Sequence, residues 1–184
     1  LIGFYYDKEK AQKLIEEVKL LNDGNLDPII LSTNSSYLDL CEFMQKELEK
    51  LGIEINIDVI PGSALKQAKA NGKLDFFRAS WIADYPDAEN YLSLFYSKNL
   101  APDGPNYTHF SNDEYDRMYE NSLWETNPEK SKLLYQKMDS IITSKSIIVP
   151  LFYDEVVRFI SKNVVGMEIN ATNLLDLRNV RKVD

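Results

Sequence analysis

The stretch of this sequence best equipped for chemistry is the segment 78–90, which combines a cation, an indole and three carboxylates. Arg78 and Trp81 come first, and Asp84, Asp87 and Glu89 follow within a few residues. The segment lies at the end of a predicted strand, and ligands of open α/β sheets bind in the loops that follow the carboxyl ends of strands. We therefore treat it as the first candidate for a binding or catalytic site.

Four interpretations of this segment remain open from the residues alone. It could be a solvated acidic turn in which Asp87 caps a helix and Trp81 enters the core. Asp84, Asp87, Glu89 and Asn90 could hold a divalent cation, although their spacing does not match a calcium loop. Two of the carboxylates could act as acid and base on a glycosidic bond. Finally, one carboxylate could receive a ligand ammonium group while Trp81 forms an apolar wall, which uses every residue type present.

Composition and charge narrow the classes of function. The net charge of −8 and the pI of about 4.8 have the wrong sign for neutralising phosphates, so we expect no nucleic-acid partner. A single cysteine, Cys41, cannot form an internal disulfide, and a single histidine, His109, cannot build a two-histidine metal site. We expect Cys41 to lie in the core, His109 to be structural, and neither a metal nor a cofactor to be bound.

The elements that must position the segment 78–90 follow from periodicity and turn residues. With 184 residues, 44% of them hydrophobic, the chain is long enough for one domain with its own core. Apolar spacing predicts helices over 8–21, 37–51, 63–71, 88–95, 112–122 and 128–142, the fourth with Tyr91, Leu92 and Phe95 inward and the fifth opened by a capping box at 111–114. It predicts strands over 29–31, 53–59, 75–81, 147–153, 156–160 and 164–169, and a packed loop over 97–110. The result is one mixed α/β domain in which 171–184 has no clear pattern.

The order of residues in 78–85 is similar to a known signature. It resembles the oligopeptide-binding branch of the extracytoplasmic solute-binding proteins of ABC transporters, family 5, the peptide and nickel class. The matching residues are Arg78, Ala79, Ser80, Trp81, Ala83, Asp84 and Tyr85. Asp84, Asp87 and Asn90 also resemble the dipeptide branch, from which Ala88 and Glu89 depart. Further similarities at 5–11, 48–53, 106–116, 148–153 and 164–167 extend the resemblance over nearly the whole chain.

The resemblance implies a fold and a domain organisation. We expect the C-terminal lobe of a type II periplasmic-binding-protein fold, an α/β lobe with a mixed sheet flanked by helices. Residues 1–170 would form the ligand-binding lobe, and residues 171–184 a tail that returns towards an N-terminal lobe missing from this chain. The chain is then expected to be a fragment of a longer protein, which would account for the lack of a signal segment.

The resemblance also implies residue roles and partners. Asp84 would pair with the α-ammonium group of a peptide, Trp81 would line a side-chain pocket, and Arg78 would lie near the ligand carboxylate. The main chain at Ser80 and Ile82 would bind the peptide as an added strand. No catalytic residue is expected; the partners would be a peptide, the missing lobe and an ABC permease, with the protein periplasmic or otherwise extracytoplasmic as a lipoprotein. Nickel chelates, haem or sugars, which relatives carry, and glycoside hydrolysis remain the alternatives.

Overall fold

The computed structural model describes residues 5–170 and 172–183. Its helices are α1 (Lys8–Leu21), α2 (Leu38–Glu49), α3 (Gly62–Ala70), α4 (Glu89–Leu92), α5 (Asp113–Ser122) and α6 (Pro128–Ser144). Its strands are β1 (Ile29–Thr33), β2 (Ile55–Val59), β3 (Phe76–Phe77), β4 (Val164–Val165) and β5 (Arg181–Lys182). Short 3₁₀ turns occupy Ser35–Tyr37, Ser93–Phe95 and Ser97–Asn99. No helix among these residues is both long enough and apolar enough to cross a membrane.

The first three strands form a parallel sheet with β1 in the centre, in the order β2-β1-β3. Ile29 pairs with Ile55 in β2, and Leu31 pairs with Phe76 in β3. Helix α2 covers this sheet, and Cys41 packs with Leu31 and Ile55 in one buried cluster. The predicted burial of Cys41 is therefore confirmed, and the sheet brings the carboxyl ends of β1 and β3 to the same edge.

A second core lies between the short helix α4 and the helix pair α5 and α6. Its buried residues are Leu92, Phe95, Tyr115, Tyr119, Met138 and Ile142. The predicted start of α6 is confirmed, because Asn127 caps it and Pro128 occupies its first turn. The predicted cap of α5 is displaced by one residue: Asn112, not Ser111, accepts the capping hydrogen bond from the Tyr115 N–H.

The loop 97–110 is packed, as the sequence predicts. The side chain of Asn106 is fully buried, and its Nδ2 donates hydrogen bonds to the carbonyl oxygens of Tyr96 at 3.1 Å and Phe110 at 2.9 Å. His109 has a positive φ of 52°, and its Nε2 lies 3.4 Å from the carbonyl oxygen of Lys69. The His109 ring thus lies against the C-terminal end of α3, and its structural role stays a prediction.

Several predicted strands are wrong or shorter than expected. The segments 147–153 and 156–160 form no strand, and many of their apolar side chains are exposed, Phe159 to 98%. A strand needs a hydrogen-bonding partner, and the described part of this chain offers none there. Of the predicted strand 75–81, only Phe76 and Phe77 pair, and Tyr91, expected inward, is 42% exposed.

The last residues take part in a small second sheet. Strand β4 is limited to two residues and pairs with β5 in an antiparallel arrangement, Val164 opposite Lys182 and Val165 opposite Arg181. Parallel and antiparallel pairing therefore occur in separate sheets of one mixed α/β chain.

Candidate ligand-binding site

A cleft of about 220 Å³ opens at the carboxyl ends of β1 and β3, beside α3. The residues that matter for its chemistry are Thr33, Asn34, Tyr37, Lys69, Arg78 and Ser80. None of its lining residues is acidic, although the chain as a whole carries a net charge of −8. The cleft is therefore a locally cationic feature at the sheet edge where α/β proteins bind ligands.

Arg78 directly follows β3 and is held in the cleft from two sides. Its guanidinium carbon lies 3.1 Å from the centre of the Tyr37 ring, and its Nη1 donates to the Ser80 hydroxyl at 3.2 Å. Its Nε is buried and has no hydrogen-bond partner among the described residues. Stacking on an aromatic face fixes the guanidinium plane without consuming its hydrogen-bond donors. The orientation of the Arg78 side chain is consequently fixed, while some of its N–H donors remain available to a ligand.

Lys69 provides a second cation, from the last turn of α3. Its side chain is half-buried, and its Nζ lies 5.6 Å from the ring centres of both Phe77 and Tyr107. Burial lowers the pKa of Lys69, and the positive charges of Arg78 and Lys66 lower it further. No ion pair among the described residues involves Lys69 or Arg78.

The loop 81–90 is organised around the buried side chain of Asn90, which is 4% exposed. Asn90 Oδ1 accepts a hydrogen bond from Trp81 Nε1 at 2.7 Å and a second from the Asp84 N–H at 3.3 Å. Trp81 is half-buried, whereas Ser80 is exposed and Ile82 is 77% exposed. The indole is thus fixed by Asn90 between two exposed residues.

The three carboxylates of this loop differ in whether they have partners. Glu89 accepts hydrogen bonds from the hydroxyls of Tyr85 and Tyr119, and Asp87 accepts from the Glu89 N–H at 2.8 Å. The carboxylate of Asp84 makes no hydrogen bond or ion pair with the described residues, and its side chain is exposed. Within this chain Asp84 does not lie in a dry crevice, so a role in binding a buried ammonium group requires a second protein surface over it.

Tyrosines tie the acidic loop to the helix pair. Burial raises the pKa of Tyr119 in α5, and the hydrogen bond to Glu89 raises it further. Burial raises the pKa of Tyr135 in α6 to about 12, and the negative charge of Asp87 contributes to this shift. Asp87 and Glu89 therefore serve mainly to anchor the loop. Among the described residues, no cluster of three or more histidine, cysteine or acidic side chains is arranged to hold a metal ion.

The structure brings Arg78 and Ser80 into the cleft together with residues that the sequence analysis did not single out, whereas Trp81, Ile82 and Asp84 do not line it. Tyr37 and Lys69 are far from Arg78 along the chain and belong to no recognisable motif. Their place in the cleft becomes visible only once β1 and β3 are paired in parallel. Asn90 matched the resemblance, but its role as the acceptor for Trp81 needed the geometry.

Comparison with known proteins identifies the family to which the chain is related. Residues 2–103 match the family model described as bacterial extracellular solute-binding proteins, family 5 Middle. The chain is 26% identical over 151 residues to Heme-binding protein A of Haemophilus influenzae, covering 79% of this chain and 27% of that protein. It is 29% identical over 171 residues to the Glutathione-binding protein GsiB of Salmonella choleraesuis, covering 89% and 33% respectively.

Solved structures establish the fold. A dipeptide binding protein from Pseudoalteromonas sp. SM9913, in complex with Met-Leu, superimposes with a TM-score of 0.76 at 24% identity, covering 97% of this chain and 36% of that one. This likeness confirms the predicted type II periplasmic-binding-protein fold. The chain spans about a quarter to a third of the length of the curated relatives it matches. With more than half of its residues inside the family model, the chain belongs to the bacterial extracellular solute-binding proteins of family 5.

Proposed function

We propose that this chain is one ligand-binding lobe of an ABC-importer binding protein that holds a peptide by its two charged ends. The main support for this proposal is that cations and a carboxylate without ion-pair partners lie in separate places near the end of β3. Arg78 and Lys69 lie in the cleft without counter-ions, and the Asp84 carboxylate, six positions beyond Arg78, has no partner among the described residues. A peptide with free ends presents the complementary pair, an ammonium group and a carboxylate.

Asp84 is the best candidate for the ammonium group. The two other carboxylates of the loop are engaged by tyrosine hydroxyls and a backbone N–H, whereas Asp84 has no partner among the residues that the structure describes. A peptide α-amine, with a pKa near 8, is mostly charged at neutral pH, and burying it without a partner costs several kcal/mol. A buried pair of this kind selects ligands with a free amino terminus.

The main chain between these two charges is suited to an extended ligand. Residues 79–83 form no backbone hydrogen bond with other described residues, and Ser80 and Ile82 are exposed. A peptide can therefore pair with this segment as an added strand, which recognises backbone groups irrespective of side chain. Trp81, fixed by Asn90, would line a pocket for one ligand side chain.

We further propose that the segment 148–160 packs against a second lobe outside this chain, and that the tail 171–184 leads towards that lobe while Arg181 and Lys182 stay paired with β4. Phe152, Val157 and Phe159 are among the apolar side chains that 148–160 exposes, to 57%, 75% and 98%. Runs of exposed apolar residues indicate a surface that another body covers. The curated relatives are three to four times longer than the aligned region, which leaves ample chain for such a lobe.

The complete protein would close its two lobes on the peptide and present the closed form to a membrane permease. As a member of an extracellular family it would work in the periplasm or another extracytoplasmic space, held there by a lipid anchor. The names of the relatives define the competing ligands, because one is called a heme-binding and another a glutathione-binding protein. Mass spectrometry of material that copurifies with the complete protein would separate these ligands.

The decisive experiment is calorimetry with the complete protein and the peptide Ala-Ala-Ala, unmodified and N-acetylated. Saturable binding that disappears on acetylation is the expected result. Asp84→Ala should weaken binding by tens to thousands of times, since removing one partner of a buried charge pair costs about 2–5 kcal/mol. Asp103→Ala, which removes an exposed carboxylate from the loop 97–110, is the matched control and should have no effect.

Two outcomes would reject the proposal. An unchanged affinity in Asp84→Ala would remove Asp84 from the site, and turnover of chromogenic glycosides that Asp84→Asn abolishes would favour a hydrolase instead. The 184-residue chain alone offers half a cleft and should bind the peptide weakly or not at all. Tight, stoichiometric binding by it would contradict the two-lobe arrangement.

A further inference from the structure

The cleft contains more positive charge than one peptide carboxylate can balance. Arg78 and Lys69 both line it, no acidic residue does, and neither cation has an ion-pair partner among the described residues. The terminal carboxylate of a bound peptide, in the function proposed above, would satisfy Arg78. The ammonium group of Lys69 would then remain half-buried without a counter-ion.

The position of Lys69 is fixed by its surroundings. Its Nζ lies at the same distance, 5.6 Å, from the ring centre of Phe77 on β3 and that of Tyr107 in the loop 97–110. Aromatic faces attract an ammonium group but do not neutralise its charge. The two rings therefore hold the cation at the cleft while leaving it available to an anion.

We infer that Lys69 makes this site selective for peptides whose last residue is acidic, so that the ligand carries two carboxylates into the cleft. This inference rests on the proposed peptide-binding function. The cleft, with a volume of about 220 Å³ and both cations in its lining, has room for the second group. Arg78 would receive the terminal carboxylate and Lys69 the carboxylate of the side chain.

A purely structural role for Lys69 makes a different prediction. The aliphatic part of a lysine can pack between apolar groups while its ammonium group stays in water and binds no ligand. Lys69→Met keeps an unbranched apolar side chain between Phe77 and Tyr107 and removes only the charge. Lys66→Met is the matched control, because Lys66 lies one turn earlier on α3, is exposed, and does not line the cleft.

The test is calorimetry on the complete protein with the isosteric peptides Ala-Ala-Glu and Ala-Ala-Gln. The unmodified protein should bind the glutamate peptide about tenfold more tightly, as expected of a partly desolvated charge pair. Lys69→Met should abolish that preference by weakening only the glutamate peptide, and Lys66→Met should retain it. Equal binding of the two peptides by the unmodified protein, or a preference that survives Lys69→Met, would overturn the inference and leave the proposed function intact. If neither peptide binds, the proposed function fails and the inference with it.

Discussion

The acidic loop 84–90 and the cationic cleft at the end of β3 differ in how far their charges are already used. The loop has three carboxylates, and two of them, Asp87 and Glu89, are bound by backbone or tyrosine donors. The cleft has two cations, Arg78 and Lys69, and neither has an anionic partner among the described residues. The density of charged residues in the sequence therefore does not identify the groups that are free for a ligand.

We expect the largest effect when a cation is removed from the cleft. Arg78→Gln should weaken binding of Ala-Ala-Ala to the complete protein about a hundredfold, because the ligand carboxylate loses its partner. The C-terminally amidated peptide, which lacks that carboxylate, should bind the variant and the parent protein with similar affinity. Calorimetry with both peptides measures the effect.

Arg117→Gln is the control for Arg78→Gln, since Arg117 is an exposed arginine of α5 outside the cleft. A similar loss in both arginine variants would assign the effect to overall charge. If Arg78→Gln lowered the affinity for the free and the amidated peptide equally, Arg78 would not be the residue that binds the ligand carboxylate.

Substitutions in the acidic loop should lower the stability of the chain. Asn90→Ala removes the acceptor of Trp81 Nε1 and of the Asp84 N–H, and leaves a partly buried donor unsatisfied. We expect the free energy of unfolding to fall by about 1–3 kcal/mol, measured by urea denaturation of this chain. Asn121→Ala removes an exposed amide from α5 and should change it far less. Equal stability of the Asn90 variant and the parent would contradict the anchoring role of Asn90.

The sequence predicts well those elements whose signals are local. The apolar stripe of α2, the residues Asn127 and Pro128 at the start of α6, and the alternation along β2 depend on neighbouring residues only. Cys41 could be assigned to the core for the same reason, because it lies on the apolar face of a helix. Local patterns thus fix the scaffold that carries the site.

The sequence predicts poorly those features that depend on distant partners. The apolar runs 147–153 and 156–160 have strand composition, but a strand forms only where a neighbour supplies hydrogen bonds. The cleft could not be predicted from the sequence for a related reason. Tyr37 lies beside Arg78 because β1 and β3 pair in parallel. Lys69 reaches the same cleft because it lies at the end of α3, the helix that connects β2 to β3.

A smaller effect tests how Arg78 is oriented. Tyr37→Leu removes the aromatic face under the guanidinium and should weaken binding of Ala-Ala-Ala by a few-fold to tenfold, the range expected for a cation–π contact. Tyr37→Phe keeps the ring and should bind like the parent protein. Calorimetry on the complete protein distinguishes them, and an equal loss in both variants would assign the effect to the hydroxyl rather than to stacking.

The smallest expected effect concerns the pH dependence of the loop anchors. The pKa of Tyr135 is raised to about 12, first by burial and then by Asp87, and the pKa of Tyr119 is raised by burial and by Glu89. A tyrosine of the unfolded chain ionises near pH 10. Between pH 10 and the higher folded-state pKa, the unfolded chain loses protons that the folded chain retains, so the free energy of unfolding must fall as pH rises.

This decline should become shallower when an anchoring tyrosine is replaced. Tyr135→Phe removes one group whose ionisation differs between the two states, and urea denaturation between pH 9 and 11.5 would measure the change in slope. Tyr153→Phe, at a tyrosine that is 89% exposed, should leave the slope unchanged. An unchanged slope in Tyr135→Phe would mean that burial beside Asp87 does not shift the ionisation of this tyrosine, and would contradict its role as an anchor between α6 and the loop. The hydrogen bonds that Asp87 and Glu89 accept from Tyr85, Tyr119 and the Glu89 N–H would still distinguish the loop from the cleft.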